Sequence, residues 1–225
     1  MRMRRKHNLE QRLEEAADIL ICAKADDLDF SKASQNKKYI DFKNWFSNDN
    51  PIYLEIGCGK GQFAAKFAKK NPNINLVAVE RSANVIVDAC QKAKENNLDN
   101  LKFIKCTAEY LETFIAPDTV DRIFLNFSCP FPKKTYAKHR LTHANFLNIY
   151  KSFMKQGAEI HQKTDNMQLF EFSIEQFSAN GFAIKNVSLN LHQSEFLEEN
   201  IATEYENKFV SMGLPIYRLE AYIKE

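Results

Sequence analysis

Apolar residues recur along this chain at two spacings that alternate. Leu9, Leu13, Ala16, Ala17, Leu20 and Ile21 fall mostly three or four apart, which predicts an amphipathic helix near the N-terminus. A polar stretch and the only tryptophan, Trp45, follow. From residue 52 the pattern becomes regular. Residues 52–56 form a short apolar run that predicts a strand, and residues 60–70 place Phe63, Phe67 and Ala68 at helical spacing. Residues 76–79, 101–104, 120–125 and 158–161 predict further strands. Residues 82–95, 108–114, 142–154 and 167–179 predict the helices between and after them. The tail differs: 182–191 and 215–223 are strand-like, with an acidic, helix-like stretch at 195–209 between them.

Alternating strands and helices predict an α/β fold with an open, mostly parallel sheet and helices on both faces. The two closing strands lack a usual helical crossover, which predicts one antiparallel strand at the sheet edge. Residues 1–46 read as a basic arm with a helical extension, and residues 47–225 as the main domain. With 225 residues, 44% hydrophobic and 27% charged, the chain excludes disorder and small disulfide scaffolds. No run of apolar residues is long enough for a membrane span, and the basic start lacks the apolar stretch of a signal peptide. Five cysteines without a Cys-x-x-Cys pair, and scattered histidines, predict a reducing cytoplasm and no metal. The net charge is only +2, but basic residues cluster at 2–6 and at Lys133, Lys134, Lys138 and Arg140. Such clusters suit a polyanion or a plain solvated surface.

Three of six glycines fall within Gly57-Cys58-Gly59-Lys60-Gly61. There a predicted strand turns into a helix, where glycine lets backbone approach a ligand. Glu80 ends the next strand, where a carboxylate can accept both hydroxyls of a ribose. A dinucleotide fingerprint needs a third glycine where this chain has Gln62. The spacing G-x-G-x-G after Glu55 instead favours S-adenosylmethionine over NAD, and Glu55 would favour its cationic methionine end. A tight turn with no ligand is the plain alternative.

Two more segments end strands and so face the ligand side of an open α/β sheet. Asn126-Phe127-Ser128-Cys129-Pro130-Phe131-Pro132 is stiffened by its prolines and runs into the basic residues 133–140; Phe131 could stack on a base. Lys163-Thr164-Asp165-Asn166 ends the next strand. Thr203-Glu204-Tyr205-Glu206 offers a hydroxyl and carboxylates to a base, yet its spacing is equally that of a capping box. Thr164, Asp165 and Asn166 could likewise be only a helix cap.

Taken in order, these segments resemble the bacterial tRNA (guanine-N7-)-methyltransferase family along essentially the whole chain. The resemblance rests on the arginine-rich start, Glu55 through Gly61, Asn126-Phe127-Ser128, Pro132-Lys133-Lys134 and His139-Arg140-Leu141-Thr142. It continues through Lys163-Thr164-Asp165-Asn166, Thr203-Glu204-Tyr205-Glu206 and Pro215-Ile216-Tyr217-Arg218. It implies a Rossmann-like, seven-stranded methyltransferase fold that uses S-adenosylmethionine to methylate N7 of a guanine in the tRNA variable loop, as a monomer or homodimer. By the same resemblance, Glu55, the glycines, Glu80, Thr107 and Cys129 occupy cofactor positions. Lys133, Asp165, Thr203, Glu204, Tyr205 and Glu206 occupy substrate positions, and Thr135, Tyr136, Ala137, Lys138, His139 and Arg140 fall where the family touches RNA. Two positions depart from the family: Thr107 stands for its Asn or Asp, and Cys129 for the aspartate assigned as catalytic.

N7 of guanine already carries an in-plane lone pair, so its methylation needs alignment more than a base. A carboxylate at position 129 would mainly orient the guanine, and a thiol is a poor acceptor. The rival readings are a tRNA- and S-adenosylmethionine-binding member with weak catalysis, and a small-molecule methyltransferase or NAD enzyme. The latter leaves residues 133–140 unexplained.

Overall fold

The computed structural model describes residues 5–23 and 37–224. Arg2 and Arg4 of the basic start lie outside the described residues. Two compact units divide the chain, Met1–Ala116 and Pro117–Glu225.

The first unit opens with helix α1 (Leu9–Glu15), strand β1 (Leu20–Cys22) and the short helix α2 (Phe42–Phe46). It continues as β2 (Ile52–Ile56), α3 (Gln62–Lys70), β3 (Asn75–Val79), α4 (Ala83–Glu95), β4 (Leu101–Lys105) and α5 (Leu111–Phe114). Its strands run in the order β1-β4-β3-β2, all parallel. Every residue of β3 is buried, so this strand is covered on both faces, as its continuous apolar sequence demands. Leu20 and Ile21 are the first correction to the sequence reading. Their spacing continues the helix, but α1 ends at Glu15 and the chain passes into turns at Ala16–Ile19, where the Ile19 amide donates to the Ala16 carbonyl. The β4 edge then captures the next residues: the Phe103 amide donates to Ile19 O at 2.8 Å and the Ala23 amide to Lys105 O at 3.1 Å. This pairing adds β1 to the seven strands expected.

The arm is fastened to α4 by charge. Lys6 pairs with Asp88, Arg12 donates to Asp88 at 3.0 Å and to Gln91 at 2.8 Å, and Lys94 meets Asp18 at 2.6 Å. Burial pushes the Asp88 carboxyl upward, but Lys6 and Arg12 outweigh it and hold its pKa below the ordinary value. Arg5 pairs with Glu10. Of the basic N-terminal cluster, the two described members are therefore engaged within the protein.

The second unit comprises β5 (Val120–Asn126), α6 (Ala144–Lys151), β6 (Met154–Thr164), α7 (Met167–Ala179), β7 (Phe182–Ser188), α8 (Glu204–Ser211) and β8 (Tyr217–Ile223). Its strand order is β5-β6-β8-β7, with β8 antiparallel to both of its neighbours next to the edge. The helix predicted to Met154 stops at Lys151, because the Phe153 carbonyl is taken by the Thr119 and Val120 amides and Met154 starts β6. The stretch 195–209 is not one helix. It holds a 3₁₀ turn, Glu195–Leu197, and then α8, whose N-cap Thr203 accepts the Glu206 amide at 2.9 Å.

Candidate functional site

In the first unit β2 ends at the glycine turn, and all three glycines adopt left-handed backbone, with φ of 86°, 56° and 69° at Gly57, Gly59 and Gly61. They do so for different reasons. A Cβ placed on Gly57 or Gly59 would meet nothing within 4 Å, so the turn opens outward there. A Cβ on Gly61 would lie 2.6 Å from the Ala89 Cβ, so this glycine is needed for α4 to pack. The turn's amides are spent internally. Gly57 and Cys58 both donate to Val79 O, at 2.8 and 3.0 Å, and Gly61 donates to Cys58 O at 2.9 Å. Gly59 donates to Glu80 Oε2 at 3.3 Å, while Ser82 donates to Glu80 Oε1 at 2.8 Å. Glu80 is thus fixed at the end of β3 with lone pairs to spare.

A diphosphate would need those amides as donors. This turn withholds four of them and sets two carboxylates beside it, Glu80 and the buried Glu55. Burial drives the Cys58 thiol far above its ordinary range, and the charges of Glu55 and Glu80 push it the same way. This donor set fits a ligand with a cationic end and a ribose diol, which is the chemistry of S-adenosylmethionine. Thr107 precedes a 3₁₀ turn, and its hydroxyl makes no capping bond there.

In the second unit β5 ends at Asn126; Phe127 follows it with a left-handed φ of 51°, and Phe131 comes next at 41°. Cys129 lies exposed between them. The Phe127 amide donates to Lys163 O at 2.8 Å, which ties the start of this loop to the end of β6. The Phe127 ring stacks on Phe209 at 6.0 Å and on Tyr205 at 6.5 Å, both on α8. Lys133, Lys134, Thr135, Tyr136, Lys138 and His139 are exposed, and none of the three lysines has an acid partner among the described residues. Ala137 is half-buried.

Arg140 departs from this run. It is 8% exposed, and its guanidinium donates to Pro130 O at 2.9 Å and Phe131 O at 3.0 Å. It also lies 4.4 Å from the centre of the Phe172 ring on α7. The expected RNA contact at Arg140 is corrected: the structure turns its guanidinium toward the Pro130–Phe131 loop and the Phe172 ring, not outward with the lysines of the run.

The other segments divide in the same way. Thr164 accepts the Asn166 amide, and Asn166 caps α7 by accepting the Leu169 amide at 2.8 Å. Asp165 is half-buried and has no partner among the described residues. The capping reading thus accounts for its neighbours but leaves its carboxylate available. Thr203 caps α8, and Glu206 is fully buried, so neither presents its side chain to a base as expected; Glu204 and Tyr205 are exposed. Lys163 donates to Glu206 Oε2 at 2.8 Å, to Asn200 Oδ1 at 2.8 Å and to Ile201 O at 3.0 Å, and His192 Nε2 lies 2.8 Å from Glu206 Oε1. Burial raises the Glu206 pKa, but Lys163, His192 and Asn200 outweigh it, so the net shift is downward.

Sequence reasoning missed Lys163 as a buried cation, because only the fold supplies its partner 43 residues away. It also missed a group on the sheet surface, where Glu159, His161 and Glu220 bring possible ligand atoms within 4.8 Å of one another. Arg122 holds Glu159 at 2.9 Å, Lys185 pairs with Glu159, and Arg218 pairs with Glu220. These cations neutralise the acids, and the group reads as a cross-strand ion network. No helix among the described residues is long and apolar enough to cross a membrane.

Comparison with known proteins agrees with this chemistry. A family model described as "Putative methyltransferase" matches residues 49–219. The chain is similar to the tRNA (guanine-N(7)-)-methyltransferase of Bacillus subtilis, at 46% identity over 98% of this chain and 98% of that protein. The enzyme of the same name from Clostridioides difficile is 41% identical over 98% of both chains. Among solved structures, the 16S rRNA methyltransferase KamB shares the fold with a TM-score of 0.62 at 17% identity, covering 84% of this chain and 95% of that one.

Proposed function

The chain belongs to the tRNA (guanine-N(7)-)-methyltransferase family, and from that premise we propose how its own residues divide the work on a guanine of the tRNA variable loop in the cytoplasm. Gly57, Gly59, Gly61, Glu55, Glu80 and Thr107 hold S-adenosylmethionine. Lys133, Asp165, Glu204 and Tyr205 meet the tRNA, with Lys134 and Lys138 on its phosphates. Residues 1–46 serve as an extension to the catalytic fold.

When bound, S-adenosylmethionine supplies an electrophilic methyl group on a sulfonium. Glu80 accepts the ribose hydroxyls, and Glu55 favours the positive end through its charge. Asp165 accepts N–H groups of the guanine and so orients the base. No proton has to leave N7, so alignment supplies much of the rate. Tyr205 offers an exposed ring for stacking, as single-stranded RNA recognition commonly requires.

The single observation that carries this reading is the glycine turn that keeps its amides to itself and offers carboxylates instead. The test is incubation of purified protein with labelled S-adenosylmethionine and unmodified tRNA, followed by reductive cleavage at methylated guanines. Cleavage at one variable-loop guanine is the expected result. Label at another atom, or on none, overturns it.

A further inference from the structure

Within the basic run, three lysines point outward and one arginine points inward. We propose that Arg140 is a positioning residue for the loop that carries Cys129, and makes no phosphate contact. This inference rests on the methyltransferase reading above only for its effect on turnover.

Pro130 and Pro132 have no amide hydrogen, so the loop cannot tie itself down through its own backbone at those positions. Phe131 between them sits in left-handed backbone, at φ 41°, a conformation that non-glycine residues hold only when their surroundings impose it. The carbonyls on either side of its Cα, Pro130 O and Phe131 O, both accept from one guanidinium. The fork geometry of arginine suits this pair, and lysine cannot reproduce it. The guanidinium has no carboxylate partner among the described residues; carbonyl dipoles and the Phe172 ring take that place. The other end of the loop is held by the Phe127 amide on Lys163 O. Cys129 is the exposed residue between two fastened ends. Arginine at position 140 therefore decides where that side chain stands.

The test uses the full chain with Arg140→Lys and Arg140→Ala. Turnover at saturating tRNA should fall about tenfold or more, because small displacements of a positioned group cost that much. The slope of log tRNA affinity against log salt should stay at the wild-type value. Free guanidinium salt should restore part of the turnover of Arg140→Ala. In the same samples, alkylation of Cys129, mapped by mass spectrometry with the exposed Cys22 as internal reference, should speed up about threefold or more as the loop opens locally. That readout needs no catalysis, so it tests the clamp even if the wild-type chain methylates nothing. Arg140→Lys keeps the charge and guards against failure of Arg140→Ala to fold. A slope reduced by about 0.7 with turnover intact would make Arg140 a phosphate contact and overturn the proposal. Unchanged Cys129 reactivity in both variants would overturn it as well.

Discussion

The glycine turn of the first unit and the Cys129 loop of the second solve the same problem by opposite means. Both are sharp turns leaving a parallel strand, and both need left-handed backbone. The first uses glycine at every such position and closes its amides on neighbouring backbone and Glu80. The second uses phenylalanine at both such positions, and relies on the buried Arg140 side chain and on the backbone carbonyl of Lys163, whose own side chain is tied to Glu206. A turn built from glycine is set by local sequence. A turn built from strained aromatics is set by partners far along the chain, so its failure modes are tertiary.

The contrast is broken most severely at the Lys163–Glu206 pair. Removing one partner leaves a buried charge without compensation, so Lys163→Ala should cost about 3–5 kcal/mol of stability in urea unfolding. A loss below about 1 kcal/mol would mean that water reaches the pair. The pH dependence sharpens this. Because the folded pKa of Glu206 is depressed, its contribution is present above the unfolded value near ~4.3 and disappears as pH falls through the folded value. Glu206→Gln should flatten that acid limb of the stability profile.

Gly61 comes next. An alanine there meets both the left-handed backbone, about 1–2 kcal/mol, and the Ala89 side chain, about 1–3 kcal/mol more. Gly57→Ala should incur only the first of these. Equal losses in the two variants, by denaturant titration, would show that the close approach to α4 carries no weight.

Glu80→Ala should weaken S-adenosylmethionine by about 1.5–3 kcal/mol in calorimetry. The matching experiment on the second loop is Cys129→Asp. If a carboxylate there orients guanine, turnover should rise by roughly ten- to a hundred-and-fifty-fold with tRNA affinity little changed. No gain would mean that Asp165 already supplies the orientation. The smallest effect belongs to Lys134→Ala and Lys138→Ala, each of which should lower the salt slope of tRNA binding by about 0.7–1. Wild-type slopes in both would reduce these lysines to ordinary surface charge.

The same contrast explains what could be read before the fold was known. The glycine turn, Glu80, and the alternation of strands and helices are local patterns, and the structure keeps them. The strand at Leu20 was illegible because helical spacing and a three-residue edge strand share the same apolar positions; only the β4 edge decides between them. In the second unit, types and order were legible but direction was not. Glu206 and Arg140 carry the right chemistry for RNA, yet each is turned inward by partners that spacing cannot locate, whereas Thr203 takes the capping role its spacing allowed. Asp165 shows the converse. Its neighbours are caps, as their types allow, and its own carboxylate is the one left over.

The three-residue strand β1 also bears on how the chain behaves in company. It terminates the first unit's strand order and covers the edge of β4, whose Leu101, Phe103 and Ile104 are fully buried. An edge that short offers little for a second molecule to pair with, whereas a bare β4 would be an open template for aggregation. What keeps the cover on includes the charge pairs of Lys6 and Arg12 with Asp88, and such pairs weaken as ions screen them. Concentrated salt, the usual means of stripping RNA from a purified protein, therefore also loosens the guard against self-association. Stocks freed of nucleic acid that way should be returned to low ionic strength before they are concentrated.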